Sequence, residues 1–131
     1  MKHVVITGTS RGIGLELALM FASAGHRVLA LSRKISDKLA GNPQITQLAI
    51  DLENDLELKQ VTQFIQSDFK TVDCVIHNAG AIALKPFEQT TPADFLRIYQ
   101  VNVFGVARLN GRACFQVSTL ILKCPDFYPK Q

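Results

Sequence analysis

A glycine-rich turn between an apolar run and an apolar-periodic segment constrains this chain more than any other feature. Residues 7–14 read Thr-Gly-Thr-Ser-Arg-Gly-Ile-Gly; they follow the apolar residues 3–6 and open a segment, 13–24, with apolar residues at helical spacing. A strand that turns through glycines directly into a helix builds an anion site, because the helix N-terminus offers unpaired N–H groups and a partial positive charge. Gly8, Gly12 and Gly14 also let a diphosphate approach the backbone where a Cβ would collide. The pattern predicts a dinucleotide site, with an ordinary structural turn as the alternative.

Length and composition are those of one globular domain with a real core. The chain has 131 residues, and no apolar run approaches the roughly 20 residues that a membrane span needs. The residues that precede the glycine turn are too few for a signal peptide. We therefore expect a cytoplasmic protein with no membrane partner. The three cysteines fit neither a zinc site nor a disulfide framework, so we expect no metal.

The positive charge is confined to the end of the chain. Residues 1–107 hold ten basic and ten acidic residues, whereas residues 108–131 hold four basic residues and one aspartate. A basic tail can bind nucleic acid, but four dispersed charges are a weak electrostatic footprint. We expect no nucleic-acid partner and interpret the asymmetry as a sign that the tail differs from the rest.

Strand and helix patterns alternate along the first hundred residues. The near-continuous apolar runs predict strands at 2–6, 27–32, 45–50 and 72–77. Periodic segments predict helices at 12–24, 55–69 and from Pro92 through Leu109, with Thr91 as N-cap. The first helix carries an apolar stripe made of Ile13, Leu17, Met20, Phe21 and Ala24. Alternation of this kind predicts an α/β fold with a doubly wound parallel sheet of about four or five strands.

The pattern breaks after Leu109. Asn110-Gly111 is a turn signal, although it directly follows an apolar helical pattern that reaches Leu109. Residues 115–122 are apolar and are a candidate strand. If the last confident strand, 72–77, has no neighbour, it becomes an exposed apolar edge that promotes association. Either residues 115–122 pair with that edge, or the chain self-associates through it or is poorly stable, and we expect weak stability.

Basic residues stand where a ribose-reading residue is expected. Arg33 follows the second strand, nineteen residues after Gly14, where an NAD site would carry an acidic residue. A guanidinium can instead pair with a 2′-phosphate, and Arg11 in the glycine turn can reach the same phosphate. This favours NADP over NAD. The alternative is that Arg33 and Lys34 are solvated loop charges.

Three further positions carry polar groups at strand or helix sites. Asp51 can accept a hydrogen bond from an adenine amino group while Leu52 packs on the ring, or it can be a turn residue. Asn78-Ala79-Gly80 follows the fourth strand, where doubly wound folds bind ligands, or it is a simple polar turn. Asn102 lies on the inward side of an apolar helix and is either a structural hydrogen-bonding residue or a site residue.

Taken together, these motifs resemble the short-chain dehydrogenase/reductase family over residues 1–109. The resemblance implies a Rossmann fold and NAD(P)-dependent hydride transfer with small-molecule carbonyl or alcohol substrates. By resemblance, Asn102 supports a proton-relay water and places a catalytic lysine. The cofactor-binding residues implied by the resemblance are Gly8, Ser10, Arg11, Gly12, Ile13, Gly14, Arg33, Asp51, Leu52, Asn78, Ala79 and Gly80.

The chain departs from the family where proton transfer is concerned. The family uses a serine and a Tyr-x-x-x-Lys pair, but the fourth residue after Tyr99 is Val103, and Tyr128 is followed by Pro129-Lys130. We therefore expect residues 1–109 to be the N-terminal part of a truncated NADP-binding domain and residues 110–131 to be a divergent tail. The expected function is that of an NADP-dependent oxidoreductase, catalytically incomplete as this chain. The alternative is a non-catalytic remnant that binds the adenosine end of NADP.

Overall fold

A five-stranded parallel sheet forms the centre of the molecule. The computed structural model describes residues 1–113 and 118–120. The strands are β1 (His3–Thr7), β2 (Arg27–Ser32), β3 (Ile45–Ala49), β4 (Cys74–Ile76) and β5 (Ser118–Leu120). They lie in the order β3-β2-β1-β4-β5, and every neighbouring pair is parallel. The predicted α/β fold with a doubly wound parallel sheet is confirmed.

The helices occupy the connections between strands. They are α1 (Gly12–Ser23), α2 (Asp55–Phe64), α3 (Pro92–Tyr99) and α4 (Gly105–Ala113). A π-helical turn, Ile65–Phe69, prolongs α2, and a second one, Gln100–Phe104, joins α3 to α4. Short 3-10 turns lie at Asp37–Leu39 and Phe87–Gln89. No helix among the described residues is long and apolar enough to cross a membrane.

Two hydrophobic cores lie on opposite faces of the sheet. Alternate residues of a strand point to opposite faces, so Val4 and Ile6 of β1 join one core while Val5 joins the other. The first core includes Leu15, Ala18 and Ala22 of α1. The second includes Leu58 and Val61 of α2 and Leu109 of α4. Helices therefore cover both faces, which explains why the central strands are apolar along their whole length.

The apolar stripe predicted for α1 is only partly buried, because Leu17 and Phe21 pack against the core at its margin. The residues that α1 buries are Gly14, Leu15, Ala18 and Ala22, whereas Ile13 and Met20 are exposed. Gly14 packs directly against the turn that precedes the helix, and this contact turns the helix so that Leu15 and the small residues Ala18 and Ala22 face the sheet. The periodicity identified the helix, but the glycine contact selects its buried face.

The turn predicted at Asn110-Gly111 is wrong, because α4 continues through both residues to Ala113. Leu109 is fully buried, and Asn110 Oδ1 lies 2.8 Å from Nε2 of His77, at the end of β4. These contacts hold the helix against the sheet and outweigh the local preference of an Asn-Gly pair for a turn.

The outer edge of β4 is paired. Cys74, Val75 and Ile76 lie opposite Ser118, Thr119 and Leu120 of β5 in parallel register. The first of the two alternatives for this edge is therefore observed over residues 118–120. The rest of the candidate strand at 115–122 lies outside the described residues, and self-association stays a prediction.

We expect Gly111→Ala to stabilise the chain by about 0.5–1 kcal/mol, because alanine is the better helix former and a Cβ at Gly111 meets open space. Gly25→Ala is the matched control. Its site is equally open, but Gly25 has a φ of +82°, so the same change should cost about 1 kcal/mol. Urea unfolding measures both. Destabilisation by Gly111→Ala would restore the turn interpretation.

Candidate functional site

The residues predicted for the site lie at the carboxyl ends of four adjacent strands. The glycine-rich turn follows β1, Arg33 follows β2, Asp51 lies just beyond β3, and Asn78 lies just beyond β4. The strand order reverses between β1 and β4. In open α/β sheets, ligands bind at the carboxyl ends beside such a reversal.

Hydrogen bonds tie the loops that follow β1 and β4 into one unit. Thr7 Oγ1 accepts the backbone N–H groups of Asn78 at 3.1 Å and of Ala79 at 3.0 Å. The Asn78 side chain donates from Nδ2 to the Gly8 carbonyl oxygen at 3.1 Å. Asn78 therefore positions the glycine-rich turn through its side chain. The sequence predicted no role for Thr7, although a hydroxyl at a strand end beside a reversal of strand order indicates a hydrogen bond to the neighbouring loop.

The three glycines of the turn serve two different needs. A Cβ at Gly14 would collide with the Gly8 carbonyl and lie 2.5 Å from Asn78 Nδ2, and a Cβ at Gly8 would lie 2.9 Å from the same Nδ2. Gly12 has a φ of +61°, and a Cβ there would meet nothing within 4 Å. Gly8 and Gly14 are thus required for close packing. Gly12 is favoured by its positive φ, and the open space beside it leaves the backbone accessible to a ligand such as a diphosphate.

The N-terminus of α1 lacks the side-chain capping found on the next two helices. The N-cap residue of α1 is Arg11, which makes no side-chain capping bond, and the first turn holds no acidic residue. By contrast, Asn54 caps α2, and Thr91 with Asp94 forms a capping box on α3. The N–H groups and positive end of the α1 dipole therefore remain available to an anion.

A cavity of about 290 Å³ opens beside the ends of β2 and β3. It is lined by Arg33, Ala49, Ile50, Asp51 and Glu57. Arg33 and Arg11 are exposed. Neither joins the ion pairs among the described residues, which link Lys2 to Asp73 and Lys85 to Asp94. Both guanidinium groups are therefore available to an anionic ligand.

Asp51 has an observed turn role. Its Oδ1 accepts the Glu53 N–H at 2.9 Å, and its own N–H donates to Glu57 Oε2 at 2.5 Å. The predicted contact of Asp51 with adenine is not tested by these bonds. Leu52 is buried in the core and is not among the cavity-lining residues. Glu57 had no predicted role, because its position on the cavity depends on how α2 meets β3.

Asn102 makes two hydrogen bonds to one backbone unit. Oδ1 accepts the Ala81 N–H at 2.8 Å, and Nδ2 donates to the Ala81 carbonyl oxygen at 2.7 Å. Asn102 lies within the π-helical turn between α3 and α4, a distortion often found at functional sites. The structural alternative for Asn102 is therefore observed, and its proton-relay role stays a prediction. Gly80, directly before Ala81, is exposed at the same carboxyl end of the sheet.

His77 is a buried titratable residue next to this unit. It is 3% exposed, and its Nε2 donates to Asn110 Oδ1, since an amide oxygen can only accept. Its Nδ1 has no hydrogen-bond partner among the described residues. Burial lowers the pKa of His77 below the ordinary value of 6.5, and the bond to Asn110 opposes that shift only in part.

We expect the stability of the chain to fall as the pH drops below about 6.5. The unfolded chain binds a proton at His77 near the ordinary pKa of 6.5, whereas the folded chain binds it only at lower pH. The contribution of His77 is therefore fully present above 6.5. It is lost toward the lowered folded pKa, with a slope of up to about 1.4 kcal/mol per pH unit.

Urea unfolding between pH 5 and pH 8 measures this dependence. His77→Gln should flatten the slope, because the glutamine amide can donate to Asn110 and does not titrate. His26→Gln, the same change at a half-buried position, should leave the slope in place. Equal slopes in the wild type and in His77→Gln would contradict the account.

Comparisons with known proteins agree with this geometry. The family model described as short chain dehydrogenase matches residues 2–116. The 7alpha-hydroxysteroid dehydrogenase of Escherichia coli (strain K12) is 33% identical over 116 residues, which are 83% of this chain and 45% of that protein. The L-fucose dehydrogenase of Oryctolagus cuniculus is 31% identical over 115 residues, which are 82% of this chain and 39% of that protein. The chain thus spans less than half the length of these curated relatives.

Solved structures show the same fold. A short-chain dehydrogenase from Leptospira borgpetersenii with bound NAD+ matches with a TM-score of 0.79 and 28% identity, over 86% of this chain and 44% of that one. The 3-ketoacyl-(acyl-carrier-protein) reductase of Brucella melitensis, complexed with NADH, matches with a TM-score of 0.77 and 28% identity, over 85% of this chain and 48% of that one. The glycine-rich turn, the Rossmann-like sheet and the family match converge, and the chain belongs to the short-chain dehydrogenase/reductase family of oxidoreductases.

Proposed function

We propose that this chain binds the adenosine-diphosphate end of NADP at the carboxyl ends of β1 to β3. The observation that carries the proposal is the N-terminus of α1, which has no side-chain cap and begins at Gly12, a residue that borders open space. The helices α2 and α3 satisfy their first N–H groups with their own side chains, whereas α1 leaves its own to another partner. An anionic diphosphate satisfies them best.

Each part of the nucleotide has a matching group. The turn from Gly8 to Gly14 would hold the diphosphate, and the cavity beside Asp51 would hold the adenosine. Asp51 Oδ2 accepts no hydrogen bond from the described residues, so it can accept one from the adenine amino group. Arg33 and Arg11 would hold a 2′-phosphate. When bound, the cofactor would supply the hydride transfer that is typical of the family. Arg11, Arg33, Asp51 and the glycine-rich turn would bind and orient it.

The preference for NADP rests on the residue after β2. A carboxylate at this position would hydrogen-bond the ribose hydroxyl of NAD and repel a phosphate, but the chain has Arg33 there. The two solved relatives named above hold NAD+ and NADH, so they support a nicotinamide cofactor without selecting NADP. Two cations without an ion-pair partner among the described residues support the phosphorylated form.

The proposed reaction of the complete family domain is hydride transfer with a small carbonyl or alcohol substrate. These 131 residues contain no Tyr-x-x-x-Lys sequence to transfer the accompanying proton. Both polar side-chain atoms of Asn102 are engaged with Ala81. We therefore propose that this chain alone binds the cofactor without turning over. A cytoplasmic location and the absence of a nucleic-acid partner stay predictions.

We expect Arg33→Ala to lower the affinity for adenosine 2′,5′-bisphosphate relative to 5′-AMP by about fivefold to tenfold. The two ligands differ only in the 2′-phosphate, so the ratio of their affinities measures how well that phosphate is bound. Arg33→Ala removes a charge-assisted hydrogen bond to it. NMR titration of the chain measures both dissociation constants. Lys38→Ala is the matched control, since it removes the same charge from an exposed residue outside the cavity lining. A ratio near one in the wild type would exclude the NADP preference.

We expect no oxidation of NADPH by the purified chain in the presence of assorted aldehydes and ketones. The reason is that these 131 residues contain no Tyr-x-x-x-Lys sequence, the pair with which the family transfers the proton that accompanies the hydride. Absorbance at the NADPH band follows the reaction, with an intact family enzyme as the positive control. Clear turnover above the enzyme-free rate would sink the non-catalytic interpretation and leave the binding proposal intact.

A further inference from the structure

We propose that Glu57 acts on nucleotide binding in two ways that can be separated, of which one sets the preference between the two cofactors. Its negative charge limits the affinity of the adenosine cavity for a 2′-phosphate, and its carboxylate positions the loop that carries Asp51. The inference rests on the proposed function, because it concerns the same cavity. It assigns a role to a residue that the glycine, asparagine and arginine motifs do not include.

The carboxylate of Glu57 is fixed beside the cavity. Glu57 is half-buried in the first turn of α2, lines the cavity, and accepts the Asp51 N–H through Oε2 at 2.5 Å. Asp51 in turn accepts the Glu53 N–H through Oδ1, and its carbonyl oxygen accepts the Asn54 N–H at 2.9 Å. The Glu57 side chain cannot swing toward solvent without breaking the bond that closes this loop. Its charge therefore stays next to any ligand in the cavity.

The two carboxylates that line the cavity weaken its attraction for a phosphate. Its ionisable lining residues are one cation, Arg33, and two anions, Asp51 and Glu57, which gives a net charge of minus one at neutral pH. Arg33 makes no ion pair with either carboxylate, so it can bind a 2′-phosphate directly. That phosphate would then share one cavity with the Glu57 carboxylate. Two charges that lie within the Debye length of about 8 Å are only partly screened at physiological salt, so we expect part of this repulsion to persist.

The two effects of Glu57 change the affinities for the two ligands differently. Repulsion acts on the 2′-phosphate and changes only the affinity ratio between adenosine 2′,5′-bisphosphate and 5′-AMP. The bond to Asp51 holds the loop next to the base and changes the affinity for both ligands equally. Glu57→Gln removes the charge and keeps an acceptor oxygen for the Asp51 N–H. Glu57→Ala removes both.

NMR titration of the wild type and of both variants with the two ligands tests the proposal. In Glu57→Gln, the ratio in favour of the bisphosphate should rise by about threefold to tenfold, with little change in 5′-AMP affinity. In Glu57→Ala, the ratio should rise similarly while 5′-AMP affinity falls. A purely structural role would lower both affinities and leave the ratio unchanged.

Glu53→Gln is the matched control, because it removes an equal charge from an exposed side chain outside the cavity lining. Its ratio should match that of the wild type. An unchanged ratio in folded Glu57→Gln, or an equal rise in Glu53→Gln, would overturn the proposal. Failure of Glu57→Gln to fold, judged by circular dichroism, would also overturn it, since glutamine keeps the acceptor on which the loop depends. A wild-type ratio near one would instead overturn the NADP preference, whatever the variants do.

Discussion

The close contact of Gly8, Gly14 and Asn78 is the constraint on which the rest of this structure depends. No side chain fits at either glycine, because the Gly8 carbonyl and the Asn78 amide already occupy the space. The hydrogen bonds of Thr7 to the Asn78 and Ala79 N–H groups close the same contact from the β1 side. Strands β1 and β4, which are neighbours in space but far apart in sequence, are thereby joined where the strand order reverses.

This contact also fixes where α1 begins and which way it points. Gly14 lies in the first turn of α1, so its packing against Gly8 sets the orientation of the whole helix. The helix begins at Gly12, which borders open space, and no side chain caps its N-terminus. Asn102 holds the segment after Asn78 in a comparable way through Ala81. The side chains of Thr7, Asn78 and Asn102 thus join the loops at this edge through hydrogen bonds to backbone groups.

The sequence predicted the elements of the fold well and the orientation of side chains less well. The strands and the glycine-rich turn were predictable from local sequence, because apolar runs are typical of buried strands and glycines are typical of tight turns. The buried face of α1 did not, since Ile13 and Met20 look apolar but the Gly14 contact turns them outward. The helix through Asn110 depends on a distant partner, His77. Glu57 was missed for the same reason, because its role depends on contacts between α2 and the end of β3.

The central claim is that the carboxyl ends of β1 to β3 bind the phosphate groups of NADP. A titration of the isotopically labelled chain with NADPH, followed through backbone amide NMR signals, tests it most directly. The account predicts saturable shifts at Gly12, Ile13 and Arg33, with the signals of α3 unchanged. Shifts concentrated on α3, or no shifts at a large excess of NADPH, would contradict it.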